Sequence, residues 1–225
     1  MKKFLLLTAL AAFTFIGCSK DDDNNKPNNP SYWGFIKAGN SWTYEQTKFN
    51  PDGELVDSHT YHPEIIESIK KASDVGFIGL TDLSGKIGNV VFLNQGINHW
   101  WYFNNNRLFL EDDNDRISDK DGEGFPTVYT NSYVNQTWSY EWSGYGYTQT
   151  STRTVLSLNE QVEVPAGIFP NCIKIREFTV TNDGEYEVIR YISRQYGLIM
   201  SVTKGEGNFI DSGYTTYMKL KSKNF

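Results

Sequence analysis

The sequence predicts an all-β, mainly antiparallel domain: a single curved sheet, half-barrel or open barrel, with at most one or two short helices. Three observations predict it. Apolar residues recur with a period of two, as in Leu156, Leu158, Val162 and Val164, and in Tyr214, Thr216, Met218 and Leu220. That is the alternation of a half-buried strand. Turn signals punctuate the chain at short spacing. Asn50, Pro51, Asp52 and Gly53 form one, and Thr181, Asn182, Asp183 and Gly184 form another, with Asp-Gly suited to positive φ. Finally, only His62 to Ala72 offers a helix, with Pro63 as a first-turn residue, Glu64 and Glu67 early and Lys70 and Lys71 late. Ile65, Ile69 and the β-rich flanks favour a strand of a meander there instead.

The N-terminus is organised differently. Lys2 and Lys3, an apolar run from Phe4 to Ile16, and the small Gly17 before Cys18 read as a signal peptide over residues 1–17. The run is shorter than the roughly 20 residues a spanning helix needs, and charge follows at once. Phe15, Ile16, Gly17 and Cys18 resemble a lipobox. The resemblance implies cleavage before Cys18 and diacylglycerol on its thiol, with the membrane as a partner through the anchor. Each buried CH₂ of such chains adds about 0.8 kcal/mol, so several acyl chains hold permanently. Ser19, Lys20, Asp21, Asp22 and Asp23 resemble the export signal of surface lipoproteins in the Bacteroidetes group, which implies an outer-membrane protein facing outward. Residues 18–31, rich in Asn, Asp, Lys and Pro, bury too little to fold and read as a solvated tether.

Residues 32–225 fit one domain with a sizeable core. Loss of Lys2 and Lys3 takes the formal charge from -6 to -8, which makes nucleic acid a poor partner. With Cys18 lipidated, Cys172 stands without a disulfide partner. Its neighbours Ile173 and Ile175 suit a strand and a packed thiol rather than a nucleophile. Further along that strand the apolar parity changes, from Ile173 and Ile175 to Phe178 and Val180, so a bulge is expected near Arg176 to Glu177.

An internal echo links Ser41–Glu45, SWTYE, with Thr137–Glu141, TWSYE. Either two equivalent hairpins descend from a duplication, or two aromatic strands coincide. The stretch VEVPAGIFPNCIKI from Val162, YISRQYGLI from Tyr191 and GNSWTY from Gly39 resemble marks of exported bacterial proteins with an antiparallel half-barrel related to the LolA and LolB carriers. The resemblance implies architecture and carries no catalytic residue. In physical terms Pro165 ends a strand, Gly167 supplies a tight turn and Gly197 permits close backbone approach.

Candidate sites are few. Residues 111–125 carry seven carboxylates within thirteen residues, and Asp119, Asp121, Glu123 and Gly124 fit the opening of a calcium loop. The closing acid is missing, since Thr130 stands in its place, so the alternative is a solvated acidic loop. His59 and His62 lie three apart, which on a strand turns them to opposite faces and argues against zinc. No nucleophile elbow or phosphate loop is present, and carboxylates of undefined spacing do not make a glycosidase. An enzyme is not expected.

The aromatics carry the remaining signal. Trp100 and Tyr102 share one side of a strand and Trp101 and Phe103 the other, so that strand is buried on both faces or lines a cleft. Tyr140, Trp142, Tyr145 and Tyr147, interleaved with Ser and Gly, suit a hairpin tip that stacks on sugars or grips an apolar ligand. The expected function is non-catalytic binding, of a hydrophobic ligand inside the curved sheet or of glycan or protein through exposed Trp and Tyr. Oligomeric state is not legible.

Overall fold

The computed structural model describes residues 33–78, 81–84, 86–94, 100–104, 107–110, 125–144, 146–207 and 213–225. Fifteen strands and one helical turn follow in chain order: β1 (Ser41–Phe49), β2 (Leu55–Thr60), β3 (Glu64–Lys71), α1 (Ala72–Val75), β4 (Phe77–Ile78), β5 (Thr81–Asp82), β6 (Asn89–Leu93), β7 (Trp100–Asn104), β8 (Arg107–Phe109), β9 (Val128–Tyr129), β10 (Thr137–Gly144), β11 (Tyr147–Val164), β12 (Gly167–Thr181), β13 (Gly184–Ser193), β14 (Gly197–Gly207) and β15 (Thr215–Lys223). Thirteen of them form one sheet, ordered β10-β11-β12-β13-β14-β15-β1-β3-β6-β7-β8-β9, with β2 also paired to β1 and β4-β5 a separate hairpin. Pairing is antiparallel at β1 with β15, β2 and β3 alike. The predicted open, antiparallel, curved sheet is the fold observed.

β1 is the seam between the two halves. One edge takes β15 from Trp42 to Phe49, and the other is shared by β3 at Ser41 and Trp42 and by β2 from Glu45 to Phe49. Among the described residues the sheet begins at β10 and ends at β9, so no ladder between them closes it. Side chains bring its two ends together instead. Trp138 Nε1 on β10 donates to the Pro126 carbonyl at 2.9 Å, Tyr129 of β9 meets the Trp138 ring edge-on at 5.0 Å, and Phe125 stacks on Tyr140 at 5.7 Å.

The core lies between the halves on the inner face. Trp33, Phe35, Trp42, Trp101, Val155, Ile173, Ile175 and Leu220 belong to it. Trp42 and Trp101 meet edge-to-face at 5.5 Å, and Phe35 meets Trp101 at 6.0 Å, pairs worth about 0.5–1.5 kcal/mol each beyond area burial. Polar tips are satisfied across the seam, with Trp42 Nε1 donating to the Tyr196 carbonyl at 2.7 Å and Tyr44 Oη to that of Leu198 at 3.0 Å. The opposite side of β6–β8 has a smaller core of Ala72, Leu83, Val90, Trp100, Tyr102 and Phe109. β7 is therefore buried on both faces.

Residues 64–71 form a strand as expected, and among the described residues helix is confined to the single turn α1, closed by Gly76 at φ 72. Asn50–Gly53 makes the β1–β2 turn with Gly53 at φ 83, and in the β12–β13 turn the positive φ falls on Gly184. Gly197, at φ 81, would push a Cβ to 3.2 Å from the Phe35 ring, which is the close approach read from the sequence. Both echo segments open strands, β1 and β10, with each tryptophan Nε1 donating to a carbonyl.

The expected bulge is corrected. β12 pairs with β13 without a break from Ile173 to Thr181, so no bulge sits at Arg176 or Glu177. The register shifts lie on the β11–β12 ladder, between Val155 and Ser157, Ser157 and Glu160, and Glu160 and Val162. Keeping step, the inner parity of β12 runs from Ile173 and Ile175 to Glu177 and Thr179, all buried. The inner face accepts polar side chains instead of re-aiming the strand to bury Phe178 and Val180.

Candidate functional site

Cys18, the Ser19–Asp23 segment, the calcium candidates Asp119, Asp121 and Glu123, and Tyr145 lie outside the described residues. Among the described residues no group of three or more His, Cys, Asp or Glu side chains is placed to hold a metal ion. His59 and His62 are exposed, and His59 Nδ1 faces Asp57 Oδ2 at 3.1 Å.

The first aromatic set requires correction as a ligand site. Trp100, Trp101 and Tyr102 are 1%, 8% and 2% exposed, with Trp101 in the main core and the other two in the smaller one. The Tyr102 hydroxyl donates to the Ile87 carbonyl at 2.9 Å, and burial raises its pKa. Covering both faces of β7 uses these rings as core and leaves no ring face for a ligand.

The second set is placed differently. Tyr140 and Trp142 on β10 and Tyr147 on β11 are half-buried, and Trp142 meets Tyr147 at 5.9 Å beside the hairpin turn. Tyr140 is occupied by its stack on Phe125.

Along the inner face of β11 and β12 the cross-strand pairs pass from apolar to charged to hydroxyl: Val155 with Ile175, Arg153 with Glu177, Ser151 with Thr179. Arg153 Nη2 and Nε donate to Glu177 Oε2 at 2.8 and 3.0 Å, and Arg190 Nη1 reaches the same oxygen at 2.5 Å. Arg153 Nη1 donates to the Phe125 carbonyl at 3.0 Å while its guanidinium lies 4.0 Å from that ring's centroid. The network ties the β9 end of the sheet to the β11–β13 end. Each charge is engaged by neighbours, so its chemistry is structural. Cys172 is equally inert: burial, with Glu160 adding to it, pushes its thiol up to about 11.

The open site is on the other face of β11–β15. Cross-strand partners share a face, and here they form three successive rows. Lys174, Tyr191, Met200 and Lys219 make the first; Arg176, Ile189, Val202 and Tyr217 the second; Phe178, Glu187, Lys204 and Thr215 the third. Between them lies a groove of about 480 Å³, lined by Leu156, Ile189, Tyr191, Met200, Val202 and Tyr217, with Lys174, Arg176, Lys204 and Glu187 around this floor. A second depression of about 280 Å³ shares Glu187 and Lys204 and continues past Phe178 and Tyr214. At about 3.4 Å per residue, Tyr191 to Glu185 spans roughly 20 Å along β13. Lys174 Nζ lies 5.5 Å from the Tyr191 ring centroid, Lys219 Nζ 5.2 Å from that of Tyr217, and Arg176 Nε 3.9 Å from Glu187 Oε2.

Sequence reasoning missed this groove, although a signal was present. Val188, Ile189 and Ile192, and then Leu198, Ile199, Met200 and Val202, put apolar residues on both parities of adjacent strands. Such strands have a second face that is more than solvated surface.

No protein-family model matches the chain, and no curated protein matches it. Among solved structures it is similar to a protein from Bacteroides fragilis NCTC 9343, described as exported and YmcC-like in fold. The TM-score is 0.42 and the identity 11%, over 86% of this chain and 99% of that one. The likeness assigns no residue a role.

Proposed function

We propose that this chain is a non-catalytic binding protein that holds a hydrophobic ligand against its curved sheet, exported and anchored to the outer membrane through Cys18. The observation that carries the binding reading is the groove on the outer face of β11–β15, where Ile189, Tyr191, Met200, Val202 and Tyr217 form an apolar floor. Its volume falls in the range of about 300–1,000 Å³ usual for small-molecule sites. The site lies opposite the face expected from the sequence, because the aromatic core fills the inner one. The lipobox-like residues and the acidic Ser19–Asp23 segment support anchorage and outward display.

The half-buried Trp142 and Tyr147 pair at the β10–β11 turn favours a second reading, a platform for glycan or protein. Native mass spectrometry separates the two. The full mature chain carrying Cys18→Ala, exported and purified without detergent, is expected to show added mass that disappears on denaturation and extracts into organic solvent. A bare protein mass would shift the assignment to the Trp142 surface.

A further inference from the structure

We propose that the groove selects a single-chain amphiphile with an anionic head group, the chain lying on the apolar floor and the head drawn to the cations that border it, Lys174, Arg176 and Lys204. The inference rests on the binding reading above and adds the charge of the ligand. Three cations and one carboxylate, Glu187, line the groove, a local charge of +2 in a chain whose formal net charge is -6. That concentration opposes the overall sign of the protein.

The cations are arranged in a way that a solvated face does not require. Lys174 extends toward the Tyr191 ring and Lys219 toward the Tyr217 ring, so charge stands at the edge of the apolar floor. Arg176 has Glu187 at only 3.9 Å, a long and half-exposed contact. Such a pair holds its partners weakly in water and yields to a carboxylate or phosphate that brings apolar surface with it. The floor is open to solvent along its length, which admits one extended chain lying flat. A cationic amphiphile meets like charge, and a neutral one leaves the lysines without use.

The test compares dodecyl compounds below their micelle-forming concentrations by titration calorimetry, on the full mature chain with Cys18→Ala. Laurate is expected to bind one to one, dodecanol about tenfold more weakly as expected for a few half-exposed charge-assisted contacts, and dodecyltrimethylammonium more weakly still. Lys174→Gln with Lys204→Gln takes the local charge to zero and keeps the Arg176–Glu187 pair. It should remove most of the preference for laurate and leave dodecanol affinity unchanged, and circular dichroism checks that the sheet persists. Val202→Glu in the floor should abolish all three. Equal affinity for laurate and dodecanol would overturn the head-group inference and leave the groove intact as an apolar site. Binding that survives both sets of substitutions would place the amphiphile elsewhere, and no binding of any dodecyl compound would defeat the binding reading together with this one.

Discussion

Arg153 and Glu177 stand directly opposite each other on β11 and β12, and two nitrogens of the arginine converge on one carboxylate oxygen, Oε2, with neither side chain more than 1% exposed. Arg190 reaches the same oxygen from β13. A buried pair of this kind repays its desolvation only while complete.

Glu177→Gln should therefore destabilise the domain by about 3–5 kcal/mol in urea denaturation, because a buried guanidinium loses its countercharge. The double substitution Arg153→Met with Glu177→Leu should cost less than either single change. Equal or additive losses would mean that the pair is worth more than its apolar replacement.

Gly197→Ala should cost more than Gly53→Ala. Both glycines have positive φ, 81° and 83°, for which an L-residue is penalised by about 1–2 kcal/mol. Only at Gly197 does the new Cβ also meet a buried ring, that of Phe35, while Gly53 has open space. The excess of the first loss over the second measures how far Phe35 can move.

The two aromatic sets should separate in stability. Trp101→Ala removes a core ring and should cost about 3–5 kcal/mol. Trp142→Ala, at a half-buried position beside a turn, should cost under about 1 kcal/mol. Thermal melts of the two variants check the pair.

Cys172 should resist labelling. With burial raising its thiol from about 9 to about 11, the thiolate fraction at neutral pH falls roughly 100-fold. Ellman's reagent should react promptly only in denaturant. Burial also raises Tyr44, with Glu64 adding to it. Both groups favour the neutral form when folded. Their contribution is thus complete below the unfolded values of about 9 and 10 and is lost as pH rises through the folded ones. Stability should decline from about pH 9 upward, and less steeply in Tyr44→Phe.

Cys18→Ala should move the protein from the membrane fraction to the soluble one. Replacing Asp21, Asp22 and Asp23 with Ala should keep it lipidated but shield it from protease added to intact cells. Unchanged cleavage would remove the export role from the acidic segment.

Much of the fold was legible because strand and turn chemistry is local. Gly197 declared a close approach, Cys172 a packed thiol, and Asn50–Gly53 a turn, each from residues within a few positions of one another. The polar stretch of the inner face was not legible. Glu177 looks like a solvent-facing residue until Arg153, twenty-four positions earlier, is placed against it, and only register across two strands does that. Likewise the groove is assembled from five strands, so Lys174 and Lys204 become neighbours of one cavity through pairings that no short window contains. The tryptophans of β7 misled for a related reason. Their second cover comes from Ala72, Ile78 and Leu83, residues too unremarkable in sequence to announce a lid.

The seam at β1 governs when the chain can fold. Ser41 and Asn224 are joined by hydrogen bonds in both directions, Trp42 packs on Phe225, and β1 takes β15 along its edge. Contacts spanning 183 residues are slow to form, since the loop must close before they return anything. A chain emerging N-terminus first holds a bare β1 edge until β15 has followed it. Until then the two halves of the sheet stay unjoined at this seam, and the open strand edge is exposed to aggregation.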